Sequence, residues 1–296
     1  MTKMLQLSTF AMAVLAAATV AAGDFARFVD PRIGTDGTGH TTVAAAYPFG
    51  MVQPGPDTGT ESWDCASGYR NGDTKLFGFS QDHLNGTGVP ELGDLLLLPY
   101  AGTGDEVPPR AAVPFDKQSE VASPGYYAVT LRGGIRCEAT VSQRAAVWRF
   151  TYPEGVAAHV AVDMQWGLVW EKMDEHVLDS GWTSQGPRAI SGWAQTRSWT
   201  ERQWNFALET DAEFKIVGEG RRFALDFGKT RTVTLRVALS TTDEDGARRN
   251  LAEVRGRSFE KVAAAARAAW NEYLSRIEIP GADAAATTNL YTALYH

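Results

Sequence analysis

The chain predicts a mainly β fold, antiparallel sheets packed as a sandwich or barrel with helices at the C-terminal end, on three observations. From Tyr126 to Leu239 apolar residues recur with a period of two. The segments joining them are short, rich in Gly, Pro, Asp and Asn, and hold no helix of the kind a parallel crossover needs. Beyond Asp243 the apolar spacing changes to three and four, the helical period.

Taken in order, the first element is not part of the fold. Lys3 gives a short positive region, Leu5 to Val20 is an almost unbroken apolar run, and Val20-Ala21-Ala22 offers small residues before Gly23. This reads as a signal peptide over residues 1–22, cleaved near Ala22. The competing reading is a membrane anchor, but the run is short for a span of about 20 residues and no basic stop-transfer cluster follows. The expected location is secreted or periplasmic, with no membrane span after cleavage.

Residues 24–243 are expected to form the β domain. Tyr127, Val129 and Leu131 alternate with Ala128 and Thr130, and the same holds for Ile135, Cys137, Ala139 and Val141. Trp148, Phe150 and Tyr152, then Val160, Val162 and Met164, then Val233, Leu235, Val237 and Leu239 repeat the pattern. Residues 244–280 are expected to be a helical linker. Asp245 to Val254 reads as a short helix, and Ser258 caps a longer one with Phe259, Val262, Ala266, Trp270, Tyr273 or Leu274, and Ile277 along one side. Arg276 to Pro280 ends it, Gly281-Ala282-Asp283 turns, and Thr287 to His296 starts another helix with Leu290, Ala293 and Leu294 on one side. Its last residues carry no stop signal, so residues 281–296 read as the start of a further, truncated helical domain that would cover Leu290, Tyr291 and Leu294. The competing reading docks this helix back on the sandwich.

The 296 residues carry 28 basic against 35 acidic side chains, a net charge of −7. Affinity for a phosphate backbone comes from clustered Lys and Arg, so nucleic acid is not an expected partner. Two cysteines, Cys65 and Cys137, leave open one bridge or two buried thiols. Without a CxxC pair or a Cys/His cluster, zinc and redox sites are not expected.

Glycine is concentrated where a site is expected: 14 of 29 lie between Gly34 and Gly104. Glycine loops allow close backbone approach to a ligand. Between them stand Asp36, His40, Asp57, Trp63, Asp64, Ser67, Tyr69, Asp82, His83, Asn85, Glu91 and Asp94. An aromatic ring beside carboxylates, amides and hydroxyls suits a sugar, the ring covering C–H faces while polar groups pair with hydroxyls. Each also has a plainer reading: Asp57, Asp64 and Asn85 as turn formers, His40 and His83 as structural histidines, Trp63 as core. Seven of the nine tryptophans, from Trp148 to Trp204, read as a carbohydrate platform or, with more weight, as sandwich core and domain interface. The Gly34-x-x-Gly37-x-Gly39 run lacks the Lys-Ser/Thr of a phosphate loop, Asp243-Glu-Asp-Gly246 is too short for an EF-hand, and no HExxH or GxSxG occurs.

These blocks, Val29-Asp-Pro-Arg-Ile-Gly-Thr35, Gly39-His-Thr41, Tyr47-Pro-Phe-Gly-Met-Val52, Cys65-x-Ser-Gly-Tyr69, Gly78-Phe-Ser80 with His83-Leu84, Trp270-Asn271 and Tyr291 to His296, resemble the amino-terminal half of glycoside hydrolase family 92, exo-acting α-mannosidases. The resemblance implies an N-terminal β-sandwich (supersandwich), linker helices, and at residues 281–296 the first helix of an incomplete (α/α)6 barrel. It also implies calcium-dependent, inverting hydrolysis of α-mannoside glycans. The family's catalytic carboxylates and most calcium ligands lie in that barrel, so no catalytic or metal-ligating residue is assigned here. The sandwich would contribute Trp63, Asp64, Ser67, Gly68, Tyr69 and His83 to substrate binding. Where the family often reads Phe-Ser-His-Thr-His-Leu-Ser-Gly-Thr-Gly, this chain has Gln81, Asp82 and Asn85, which leaves linkage specificity open. A non-catalytic carbohydrate-binding module is the alternative.

Overall fold

The computed structural model describes residues 23–59, 63–102, 106–169 and 175–296. The expected signal peptide, residues 1–22, and Trp170 lie outside the described residues. Among those described, the strands are β1 Gly55–Asp57, β2 Lys75–Leu76, β3 Gly78–Ser80, β4 Leu96–Gly102, β5 Val113–Ser123, β6 Tyr126–Leu131, β7 Arg136–Val141, β8 Ala145–Thr151, β9 Ala157–Asp163, β10 Val177–Ser184, β11 Ala189–Arg197, β12 Glu201–Thr210, β13 Lys215–Glu219, β14 Arg222–Asp226 and β15 Thr232–Ser240. They pair antiparallel into a six-stranded sheet, β1-β3-β4-β9-β14-β13, and a nine-stranded one, β10-β11-β12-β15-β8-β7-β6-β5-β2.

The period-two pattern makes the sandwich. Cys137, Trp148, Phe150 and Leu235 of the larger sheet meet Phe79, Leu97, Val162 and Phe223 of the smaller in one buried core. Trp148 and Phe79 lie 5.0 Å apart between ring centres, and the Trp148 indole N–H donates to Gln81 Oε1 at 2.9 Å, so even this deep polar atom is paired. Cys65 and Cys137 are two buried thiols rather than a bridge.

Strands end at Ser240 and helices α1 Glu244–Asn250, α2 Phe259–Leu274 and α3 Ala284–Tyr295 follow. Each has a side-chain N-cap: Asp243 accepts from Gly246 N–H, Ser258 from Lys261 N–H and Asp283 from Ala286 N–H. The outer face of the large sheet presents small residues, Ala145, Val147, Ala207 and Ala238, on which Ala247, Leu251, Val254, Phe259 and Val262 pack.

The last helix differs from expectation in start and face. It begins at Ala284 because Asp283 caps it, and its buried residues are Tyr291, Thr292 and Tyr295 rather than the expected Leu290, Ala293 and Leu294, of which Leu294 packs half-buried against the same cluster. The reason is a partner from the other end of the chain. Phe25 and Phe28 pack on Tyr291 with ring centres 5.6 and 5.5 Å away, and Tyr295 packs on Trp270 at 4.6 Å. Ala26 N–H donates to Asn271 Oδ1 at 2.8 Å and Asp30 N–H to Thr292 Oγ1 at 3.0 Å. The N-terminal residues thus wedge α2 and α3 together. No helix among the described residues is long and apolar enough to cross a membrane.

Candidate functional site

Pairing of β1 with β3 sets Asp57 opposite Gly78 and Gly55 opposite Ser80, and this joins two of the glycine-rich blocks. Three residues past Ser80 the chain bridges back, His83 to Leu92. The His83 ring therefore lies beside Asp57. Its Nδ1 donates to the Gln53 carbonyl at 2.7 Å, and its Nε2 lies 3.0 Å from Asp57 Oδ1 and 3.1 Å from Ser80 Oγ. The second Asp57 oxygen accepts from the Trp166 indole at 3.0 Å. Burial disfavours the imidazolium, but the Asp57 carboxylate and these hydrogen bonds outweigh it and hold His83 above the ordinary histidine value. Gly68, at φ +82°, closes the pair: a Cβ there would sit 2.3 Å from Asp57 Oδ1.

A second cluster forms where the Gly34–His40 loop meets Asn85–Gly88. The His40 carbonyl accepts from Gly86 N–H at 2.6 Å, and Asn85 Oδ1 accepts from Thr42 N–H at 3.2 Å. Trp63 stands edge-on to the His40 ring, 4.9 Å between centres, with Gly88 against both. Asn85 Nδ2 donates to His296 Nδ1 at 3.2 Å, tying the loop to the end of α3. Burial pushes His296 down to about 4, so its ring is a neutral acceptor at neutral pH.

Between these loops and the helices opens a cavity of about 430 Å³, walled by Tyr47, Phe49, His83, Asn85, Trp270, Tyr273, Tyr295 and His296 among others. Phe49, at φ +55° in the Tyr47-Pro-Phe-Gly50 turn, is 79% exposed and meets Tyr273 edge-on at 5.1 Å. Among the described residues, none that lines it is Asp or Glu.

The six expected binding residues separate into groups. Trp63, 48% exposed, and Asp64 lie on an exposed 3-10 turn. His83 reaches the cavity wall with its nitrogens already engaged. Ser67 and Gly68 are buried supports, Ser67 donating to the Thr41 carbonyl at 2.9 Å. The expectation that Tyr69 faces a sugar meets a ring that is 0% exposed, with its hydroxyl donating to Glu120 Oε2 at 2.9 Å and the Lys117 ammonium 4.9 Å over its face. Phe49, Trp270, Tyr273 and Tyr295 were not among the expected site residues. The Pro-Phe-Gly turn was the one local signal for Phe49, whereas the others read as an ordinary helix face.

Behind the site, Arg202 pairs with Asp94 at 2.8 Å and Glu91 at 3.2 Å, and Glu91 accepts from the Trp199 and Thr200 N–H groups. This pins the 82–94 loop to the β11–β12 hairpin. Burial and the nearby Asp94 carboxylate push Asp82 up. Among the described residues, no group of three or more His, Cys, Asp or Glu is placed to hold a metal ion. The cavity's two imidazoles and two amides, Gln53 and Asn85, do not fit calcium, which takes six to eight oxygens.

The sequence matches the description of the glycosyl hydrolase family 92 N-terminal domain over residues 28–240 and that of the family's catalytic domain over residues 246–296. The structure superposes on the family GH92 α-mannosidase BT3965 from Bacteroides thetaiotaomicron with a TM-score of 0.83 and 30% identity, over 92% of this chain and 41% of that one. That enzyme has also been solved in complex with mannoimidazole. The inverting mannosidase BT2199 from Bacteroides thetaiotaomicron VPI-5482 shares the fold at TM-score 0.77 and 24% identity, over 92% of this chain and 39% of that one. An uncharacterized secreted glycosidase of Arthroderma benhamiae is 34% identical over 143 residues, 46% of this chain and 18% of that protein. The chain thus spans about two-fifths of the solved relatives' length and less of the fungal one. The strands carry the one match and the helices the other, with the cavity at their seam, and the chain belongs to glycosyl hydrolase family 92.

Proposed function

We propose that this chain is the sugar-recognising part of an exported, exo-acting α-mannosidase that removes terminal α-linked mannose from N-glycans or mannan by calcium-dependent inversion. The observation that carries the reading is the seam cavity, rich in aromatic rings, imidazole and amide but with no carboxylate among the described residues of its walls. Inversion needs two carboxyl groups about 6.5 to 9.5 Å apart, one to protonate the leaving oxygen and one to activate water. In this reading those groups and the calcium ligands come from an (α/α)6 domain docked over the cavity, and the present chain orients the sugar. Trp63 and Asp64 close over it from the exposed turn, and Phe49 and Tyr273 offer ring surface on the helical side. Export is supported by the 1–22 segment and by the fungal relative's description as secreted.

The test compares this chain with the whole enzyme on a mannobiose in calcium. The chain alone is expected to release no mannose, and release that a chelator abolishes would overturn the reading. In the whole enzyme, Trp63→Ala is expected to raise KM roughly ten-fold, the order of a lost aromatic contact, with the melting temperature nearly unchanged. A collapse of the fold would instead make Trp63 a core residue.

A further inference from the structure

We propose a second, non-hydrolytic glycan-binding site on the outer face of the nine-stranded sheet, centred on Trp193. Strand alternation sends Ile190 and Ala194 into the core and Trp193 to the opposite face, half-buried. In register Trp193 stands between Gly181 of β10 and Asn205 of β12. The absence of a side chain at Gly181 lets the indole cover that strand: a Cβ there would lie 3.3 Å from Nε1 and 3.6 Å from Cε2. Beside the ring a cavity of about 410 Å³ opens toward the start of α1, with Gln203, Asn205, Glu244 and Arg248 among its walls.

Its polar floor is fixed in advance. Gln203 Nε2 donates to Asn205 Oδ1 at 3.2 Å, and Asn205 Nδ2 donates to the Ser240 carbonyl at 3.1 Å. Arg248 donates to Ser191 Oγ at 2.9 Å, and that hydroxyl donates to Glu244 Oε2 at 2.6 Å. Side chains already held in place lose little freedom when a ligand arrives.

The chemistry selects the ligand. Arg248 is occupied by Asp245 at 2.6 Å as well as by Ser191, and Asp243, Glu244 and Asp245 also line the cavity, so an anionic ligand is repelled. An indole beside planar amides and carboxylates fits a neutral, hydroxyl-rich ligand: the ring takes a sugar's C–H face and the polar groups take its hydroxyls. The ligand class is therefore a neutral glycan chain. No wall of this cavity belongs to the seam cavity, so one molecule would hold a polymer at one place while another part of it enters the seam. This inference rests on its own walls and not on the mannosidase reading.

The experiment is affinity electrophoresis of the chain through gels containing yeast mannan or starch. Retardation by either is expected, with Trp193→Ala weakening it roughly ten-fold, the order of one lost aromatic contact. Because Trp193 packs on Gly181, the exposed Gln203→Ala serves as a second variant with the fold intact, and it too is expected to weaken retardation. Trp63→Ala is expected to leave this binding in place. No retardation by mannan or starch, or retardation that neither variant at Trp193 and Gln203 changes, would overturn the proposal. Retardation lost entirely in Trp63→Ala would also overturn it, while supporting sugar recognition at the seam.

Discussion

The His83 ring has an acceptor at each nitrogen, the Gln53 carbonyl and the Asp57 carboxylate, in a place closed to solvent. It therefore binds its proton more tightly folded than unfolded, above the ordinary value of 6.5. A basic group raised in this way contributes stability that is complete below 6.5 and is lost as pH climbs through the raised folded value. Melting temperature is expected to fall on that limb, and His83→Gln to flatten it; an unchanged slope in the variant assigns the limb to other groups. Asp82, raised by burial and by Asp94, adds a loss of the same sign that starts from its own ordinary value of 3.8, so the onset separates the two. Residue identity announced these chemistries unevenly. His83, Trp63 and Tyr69 all stand out as candidates because imidazole, indole and phenol lie beside glycine turns. The setting of Tyr69 was not legible, because its spacing says nothing about Glu120, 51 residues away, which accepts its hydroxyl.

At the scale of elements, period and caps carried most of the information. The strands from Tyr126 to Leu131 and from Thr232 to Ser240 follow the alternation residue by residue, and Ser258 caps α2 as its position before an apolar run implies. What the pattern left out is the wedge of Phe25 and Phe28, because a four-residue 3-10 turn has no period to read. That wedge decides which side of α3 is buried, drawing in Tyr291 and Tyr295 with Leu294 beside them, where spacing pointed to Leu290, Ala293 and Leu294. A helix of 12 residues has little stability of its own. Its hold on the molecule is expected to depend on this wedge. Asp283→Ala, which removes the cap at the exposed end, is expected to cost about 1 kcal/mol. Phe28→Ala strips the stacked face from Tyr291 and is expected to cost about 3 kcal/mol or less, as Phe28 is only partly buried. Denaturant melts of the two variants check the order; a larger loss from Asp283→Ala would mean that α3 stands by its own cap and not by packing.

In the whole molecule the two sheets share one core to which, among the described residues, no helix residue belongs, while the helices lean on the large sheet's alanine face and on the N-terminal wedge. The seam cavity lies where these two bodies meet, and its walls come from both. The donor atoms support the division of labour proposed above. Imidazole, indole, phenol and amide recognise a polyol but make a poor shell for a hard cation, and the buried acids near the seam are spent: Asp57 on His83 and Trp166, Asp94 on Arg202. Calcium at about a hundred times the dissociation constant of a real site would add about 2.7 kcal/mol to folding stability, several degrees in a domain of this size. Millimolar calcium is therefore expected to leave the melting temperature of this chain unchanged, with a chelator equally silent, while the whole enzyme loses activity to the chelator. A calcium-dependent rise in the chain's own melting temperature would place an ion site within these residues and return part of the chemistry to the sandwich.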